Sequence, residues 1–333
     1  MKVNSVASVF AQRVGKQSRK WQNYLKHYDR LFSELREHSI NILEIGIQGG
    51  GSLEVWAHYF AHAPLIIGCD IDQACERLKF DDDRIKVVIG DITDPAVINS
   101  IKTLAKQFDL IIDDGSHQSD DVITTFWNLF PMISDNGLYI VEDLHCSYWD
   151  SYGGGLYHPQ SPIAFFKKLV DTINQDVWGV ELDTATFLSD FLPLEDVAMT
   201  SKCVDSLSTV HSIEFVNSMC IIRKKQASEN RAGPLVVSGG VEAMNPNVAT
   251  QQPEWLVPPN QAANFFSEPS EQNGEMASKL IAAQAEIVKL RNERDQRTTD
   301  FYEATKKFYE ASVRIQELEH QLSTAVTSPH KAP

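Results

Sequence analysis

Between Asn41 and Glu142 the chain alternates short, nearly continuous apolar runs with amphipathic stretches, and the runs stop at glycines or acids. Asn41–Ile47, Leu65–Asp70, Ile85–Gly90, Phe108–Asp114 and Gly137–Glu142 have the length and residue content of strands. Leu53–Ala61, Ala74–Lys79, Ala96–Lys106 and Val122–Met132 carry helical periodicity between them, and a further helix is expected over Lys20–Leu35. Strands that are apolar on both faces and separated by helices predict a doubly wound α/β fold. Its sheet is mostly parallel and covered on both sides. Thr209–Asn217 and Met219–Arg223 fit an antiparallel hairpin that completes a seven-stranded sheet.

Residues 1–226 therefore read as one folded unit. From 227 to 275 the chain turns rich in Pro, Gly, Asn, Gln and Ser, a composition that buries too little surface to offset the entropy of ordering, and a flexible linker is expected. Residues 276–323 lack Gly and Pro and carry a heptad. Leu280, Ile287, Arg294, Phe301, Phe308, Ile315 and Leu322 recur at one seam position, and Ala283, Leu290, Arg297, Ala304, Ala311 and Leu318 at the other. This predicts a C-terminal helical coiled coil and a homo-oligomer formed through 276–323, the alternative being one amphipathic helix docked on its own domain. A disordered tail is expected over 324–333.

Charge and cysteine usage narrow the function classes. A net charge of −15 over 333 residues argues against nucleic acid, which needs a basic face. The five cysteines, Cys69, Cys75, Cys146, Cys203 and Cys220, form no C-x-x-C pair and read as reduced thiols of a cytoplasmic protein. No apolar run reaches the length of a membrane span, and the first twenty residues lack the apolar block of a signal peptide. Lys2, Arg13, Lys16, Arg19 and Lys20 precede any acid, so the N-terminus is read as a helix packing on the domain, with a membrane-surface or transit helix as the alternative.

The ends of the expected strands carry the chemistry. The first runs into Glu44-Ile45-Gly46-Ile47-Gln48-Gly49-Gly50-Gly51-Ser52, where glycines permit a tight turn and close backbone approach to a ligand at a helix N-terminus. Gln48 stands where a dinucleotide fingerprint wants its second glycine, which disfavours a nicotinamide cofactor. Asp70, with Asp72 nearby, can accept two ribose hydroxyls, and Asp91 can accept from an adenine amino group; capping a turn is the bland alternative for both acids. The fourth and fifth strands end in Asp113-Asp114-Gly115-Ser116-His117 and Glu142-Asp143-Leu144-His145. Asp114, Glu142 and Asp143 can converge as hard oxygen ligands for Mg²⁺ or a similar divalent cation. His117, just past Asp114, can take a proton from a hydroxyl that touches the metal, although alone it would be an ordinary turn histidine. His145 could be a second base, a substrate contact or a satisfied polar residue. Cys146–Pro162, with Tyr148, Trp149 and Gly153 to Gly155, suits a mobile cover whose aromatic faces stack on sugars or plug the core.

Leu43-Glu44-Ile45-Gly46, Gly68-Cys69-Asp70-Ile71-Asp72, Ile111-Ile112-Asp113-Asp114-Gly115-Ser116-His117 and Val141-Glu142-Asp143-Leu144-His145 with Ser147-Tyr148-Trp149 together resemble the metal-dependent class I methyltransferases of the macrocin and mycinamicin sugar O-methyltransferase type. The resemblance runs from about Lys20 to Lys224. It implies S-adenosylmethionine as cofactor, magnesium held by Asp114, Glu142 and Asp143, and His117 as base. The cofactor-binding set it implies is Glu44, Gly46, Gly49, Ser52, Asp70, Asp91 and Asp113, with Tyr24 and Tyr28 following a Lys20-Trp21 pair that helps close the site. This chain has Arg19 where the family commonly has an acid, and the long N-terminal auxiliary domain of the macrolide enzymes is not expected in it. The function expected is O-methylation of a sugar hydroxyl on a polysaccharide or glycosylated metabolite. The alternatives are methylation of a small phenol or catechol, and a non-catalytic coiled-coil interaction protein with a ligand-binding α/β domain.

Overall fold

The computed structural model describes residues 5–192, 204–236, 238–239, 256–264, 267 and, within 286–318, the positions 286–287, 289–291, 293–294, 296–297, 300–301, 304–308, 311–312, 314–315 and 318. Cys203, most of the expected linker, the first turns of the expected coil and the tail 324–333 lie outside the described residues. The chain divides into a unit of residues 1–261 and a second of residues 262–333.

In chain order the first unit contains α1 (Val6–Gln12), α2 (Gln22–Phe32), β1 (Asn41–Ile45), α3 (Gly51–Tyr59), β2 (Leu65–Asp70), β3 (Ile85–Ile89), α4 (Pro95–Leu104) and β4 (Phe108–Asp113). It continues with α5 (Ser119–Leu129), β5 (Ile133–Val141), α6 (Pro162–Thr172), α7 (Thr184–Phe187), β6 (Val210–Val216) and β7 (Met219–Lys224). The seven strands form one sheet in the order β3-β2-β1-β4-β5-β7-β6. The first five pair in parallel, and β7 runs antiparallel to both β5 and β6, so the sheet is mixed at one edge.

Both faces of the sheet are covered, as strands apolar on both sides require. Leu43, Ile45 and Ile111 pack with Ile101 of α4, Phe126 and Trp127 of α5, and Phe165 and Phe166 of α6. Ile42, Leu110 and Ile112 face the other way, onto Val6 and Val9 of α1, Tyr28 and Phe32 of α2, and Trp56 of α3. The N-terminal helix packs on the domain, and among the described residues no helix is long and apolar enough to cross a membrane.

Three local departures from the expected elements have identifiable causes. Ala74–Lys79 forms only a short 3-10 turn, Gln73–Arg77, started by Asp72 accepting from the Ala74 amide. Strand β5 begins at Ile133 and not at Gly137, because Asp135-Asn136-Gly137 is carried inside it. Asn136 takes a left-handed φ of 65° there, and the pairing with β4 shifts between Phe108 and Leu110. Helix α6 follows the expected cover directly. Ser161 caps it by accepting from the Ala164 amide, and Pro162 fills its first turn.

Register decides what meets at the carboxyl edge of the sheet. Ile45 lies opposite Cys69 on β2 and Asp113 on β4, and Asp113 lies opposite Val141 on β5. The next residue on each strand, Asp70, Gly46, Asp114 and Glu142, therefore falls in one row. The ladder runs one step further to hold them, from the Gly46 amide to Cys69, Asp114 to Ile45 and Glu142 to Asp113. In the second unit the described residues between 286 and 318 are helical.

Candidate functional site

The turn after β1 is shaped by close backbone approach. Gly46 has φ 79°, and a Cβ there would lie 2.0 Å from the Asp114 carbonyl oxygen, so only glycine lets β1 and the β4 turn touch. Asp70 Oδ2 accepts from the Ile47 and Gln48 amides at 2.9 and 2.8 Å, and its Oδ1 accepts from Asp72 at 2.9 Å. This ties the glycine turn to the end of β2. Helix α3 then starts at Gly51, with left-handed Gly50 as its cap and no side chain over its first amides. Above the turn opens a cleft of about 790 Å³, lined by Gly46 to Gly49, Ser52, Asp70, Asp91, Asp113 and Asp114, and at its far end by His117, Glu142 and Asp143. Asp91 Oδ1 accepts from the Thr93 amide and hydroxyl. Burial pushes Asp113 up to about 7, against the lowering pull of the Gly115 amide and the Tyr139 hydroxyl.

At the acid end one ammonium faces three carboxylates. Lys20 Nζ donates to Glu142 Oε1 at 2.6 Å, Asp114 Oδ2 at 2.8 Å and Glu44 Oε1 at 3.2 Å. The Tyr28 hydroxyl donates to the same Glu142 oxygen, and Ser52 and Trp56 donate to Glu44 Oε2. Burial alone would lower Lys20, but Glu142, Asp114 and Glu44 outweigh it and hold the ammonium well above its ordinary value. Burial also drives Glu142 up, to about 8, although Lys20 pulls it down. So many carboxylates in one buried place repel one another unless a cation sits among them, and Lys20 is that cation.

Asp143 and His117 stand beside this cluster. The Trp21 indole and the Tyr24 hydroxyl both donate to Asp143 Oδ1, at 2.8 and 2.9 Å, which leaves Oδ2 facing His117 Nε2 at 3.7 Å. His117 Nε2 is also 3.9 Å from Asp114 Oδ1. Tyr24 is fixed in turn by Ser218, and the Ser218 hydroxyl holds Nδ1 of His145. His117, Asp143 and Ser218 all have left-handed backbone, with φ of 58°, 51° and 69°. Each such residue costs on the order of 1 kcal/mol or more, and clusters of them mark places where geometry is held against local preference. Among the described residues, ligating atoms of Asp114, His117 and Asp143 lie within 4.8 Å of one another, close enough to share one ion.

Residues 11–150 match the family described as Rhamnosyl O-methyltransferase/CmcI. The matched segment holds both ends of the cleft, from the Lys20 strap to the Glu142–Asp143 pair. Demethylmacrocin O-methyltransferase of Streptomyces fradiae is 38% identical over 160 residues, which span 45% of this chain and 40% of that protein. Mycinamicin VI 2''-O-methyltransferase of Micromonospora griseorubida is 35% identical over 161 residues, 45% of this chain and 39% of that one. The chain thus spans about two-fifths of these relatives' length. In fold it is similar to the MycE methyltransferase of the mycinamycin pathway, solved with Mg, SAH and mycinamycin VI. That likeness has a TM-score of 0.52 and 25% identity, and it covers 73% of this chain and 57% of that one.

The structure places the expected site residues in two layers. Gly46, Gly49, Ser52, Asp70, Asp91 and Asp113 line the cleft. Glu44, Tyr24 and Tyr28 are buried behind it: the carboxylate of Glu44 is taken up by Ser52, Trp56 and Lys20, and the two tyrosines reach the acids. Asp114 and Asp143 come together with His117, whereas Glu142 is turned into the Lys20–Tyr28 contact. Sequence reading missed Ser218, whose only signal is its place in the two-residue turn between β6 and β7, and it gave Lys20 no part among the acids.

Proposed function

We propose that this chain is an S-adenosylmethionine-dependent, divalent-metal-dependent O-methyltransferase acting on a sugar hydroxyl of a glycosylated small molecule or glycan. The observation that carries the reading is the junction of the glycine-turn cleft with the Asp114–His117–Asp143 group. The donor set fits a hard divalent cation, with two carboxylate oxygens free to face it and Glu142 adjoining. The glycine turn and the ring of acids fit the nucleoside of S-adenosylmethionine. The named activities of the relatives, and the Mg and SAH bound in the MycE structure, support both assignments.

Asp114 and Asp143, with Glu142 beside them, would hold the cation, which when bound lowers the pKa of a hydroxyl that touches it. His117 Nε2 would take the proton from the acceptor hydroxyl, with the Asp143 carboxylate 3.7 Å away to steady the imidazolium charge. Trp21 and Tyr24 keep Asp143 aimed by occupying its other oxygen. The amides of the glycine turn and Asp70 set the cofactor's place, and aligning two bound reactants supplies much of the acceleration.

The second unit supports self-association through its helix. Ile287, Leu290, Phe301, Phe308, Ile315 and Leu318 are exposed there, at the expected seam positions, and a second copy would bury them. The four described cysteines are free and buried, which supports a reducing, cytoplasmic compartment. The deciding experiment is transfer of labelled methyl from S-adenosylmethionine to rhamnosyl glycosides, with and without EDTA. Transfer that EDTA stops and Asp114→Asn abolishes is expected; transfer indifferent to both would sink the metal reading.

A further inference from the structure

At the rim of the cleft, five rings form an arc that begins and ends at Asp143. Trp21, bonded to Asp143 Oδ1, packs edge-on to His145 with centroids 6.1 Å apart. His145 lies 4.8 Å from Trp149, Trp149 lies 6.0 Å from Tyr152, and Tyr152 lies 6.4 Å from His117. His117 then returns to Asp143 Oδ2. Trp21 and His117 also line the cleft, whereas His145, Trp149 and Tyr152 do not. The arc therefore adjoins the cleft at the acids and extends away from it.

Two large indoles are left open to water here, Trp21 at 59% and Trp149 at 50% exposure. They are not loose. The Trp21 ring is pinned by its bond to Asp143, and the Trp149 ring packs edge-on against His145, which Ser218 holds at Nδ1. Exposed aromatic surface that is fixed in orientation beside a charged group is arranged for a ligand with one apolar face and one polar edge.

We infer that this arc is the acceptor platform, on which a pyranose lies with a C–H face against Trp149 and its hydroxyl edge toward Asp114, His117 and Asp143. The inference rests on the O-methyltransferase reading and narrows its substrate. Successive rings of the arc stand at 81°, 69°, 48° and 51° to one another, so no two neighbours make a parallel slot. A flat catechol gains most from such a slot. A puckered sugar, whose axial and equatorial C–H groups point in several directions, fits tilted faces better.

The test is binding of methyl α-L-rhamnopyranoside to the full chain by calorimetry, with SAH and Mg²⁺ present. Trp149→Ala should weaken the glycoside roughly tenfold, and Trp149→Tyr should keep it within about threefold, because a ring face is what is required. SAH affinity should stay unchanged in both variants, which also shows that the fold is intact. Unaltered glycoside binding by Trp149→Ala overturns the platform, as does absence of binding to the wild-type chain. So does tighter binding of 4-nitrocatechol that is lost with Trp149. Methyl-transfer rates separate the two claims. Transfer that proceeds equally in Trp149→Ala sinks the platform and leaves the enzyme standing, whereas Trp149-dependent glycoside binding without any transfer does the reverse.

Discussion

Replacing Lys20 by methionine removes the only ammonium that the described residues place in a site where Glu44 and Glu142 are almost wholly buried and Asp114 is mostly so. The side chain keeps its length and packing, so what is lost is the charge and three hydrogen bonds of 2.6 to 3.2 Å. Removing one partner from a buried ion pair costs about 3–5 kcal/mol, because the remaining charge cannot recover its water. For a unit of this size that is a fall in Tm of roughly 6–20 °C. The loss should depend on pH, with a sign that follows from the two partners. Lys20 is raised above its unfolded value, so its contribution is fully present below about pH 10. Burial has already lifted Glu142 from its ordinary range to about 8, so the folded protein binds more protons than the unfolded one between these values and loses stability as pH rises. Without Lys20 the carboxyl is lifted further, and that loss continues to higher pH. The gap between wild type and Lys20→Met should therefore widen from pH 6 to pH 8.5 in urea unfolding followed by circular dichroism. Adding Glu142→Gln to the variant should recover part of the loss, since the amide needs no counter-ion. A loss under about 1 kcal/mol, or one equal at both pH values, would refute the assignment of Lys20 as the counter-ion of buried carboxylates.

Three further outcomes follow from the geometry. Gly46→Ala places a methyl 2.0 Å from the Asp114 carbonyl oxygen and strains a φ of 79°, so it should separate β1 from the β4 turn and abolish SAH binding in calorimetry. His117→Ala should lower kcat roughly 10²–10⁴-fold with SAH affinity unchanged, as expected for a proton acceptor that does not hold the cofactor; unchanged kcat would dismiss His117 as base. Asp113 is lifted by burial to about 7 from an unfolded value near 3.8, so ionising it costs stability as pH rises between the two; Asp113→Asn should flatten that part of the stability–pH curve.

The strands that build the site were legible because each is a short apolar run ending at a glycine or acid; all five parallel strands form, the fifth starting four residues before the expected Gly137. Reading Ala74–Lys79 as a helix and Gly137 as a strand start failed because short Asp and Asn residues set the local backbone there, Asp72 by capping a 3-10 turn and Asn136 by its left-handed φ. The convergence of Asp114, Asp143 and His117 could be anticipated, since all lie just past adjacent strand ends. The cation among the acids could not. Lys20 reaches partners 24, 94 and 122 residues away, and no periodicity encodes a contact of that kind. Ser218 is further still, 194 residues from Tyr24.

Those long spans have a consequence for how the domain comes into being. The residues that steady the acids, Lys20, Trp21, Tyr24 and Tyr28, precede the strands that carry them, while Ser218 comes with the β6–β7 hairpin. The carboxylates on β1, β4 and β5 are made between them: Lys20 meets the acids as their strands come together, and Tyr24 gains its Ser218 partner only when the hairpin docks. The full set of contacts around the acids therefore forms only when both ends of the unit are in place. Capacity to bind ligand would then report that the whole sheet has closed.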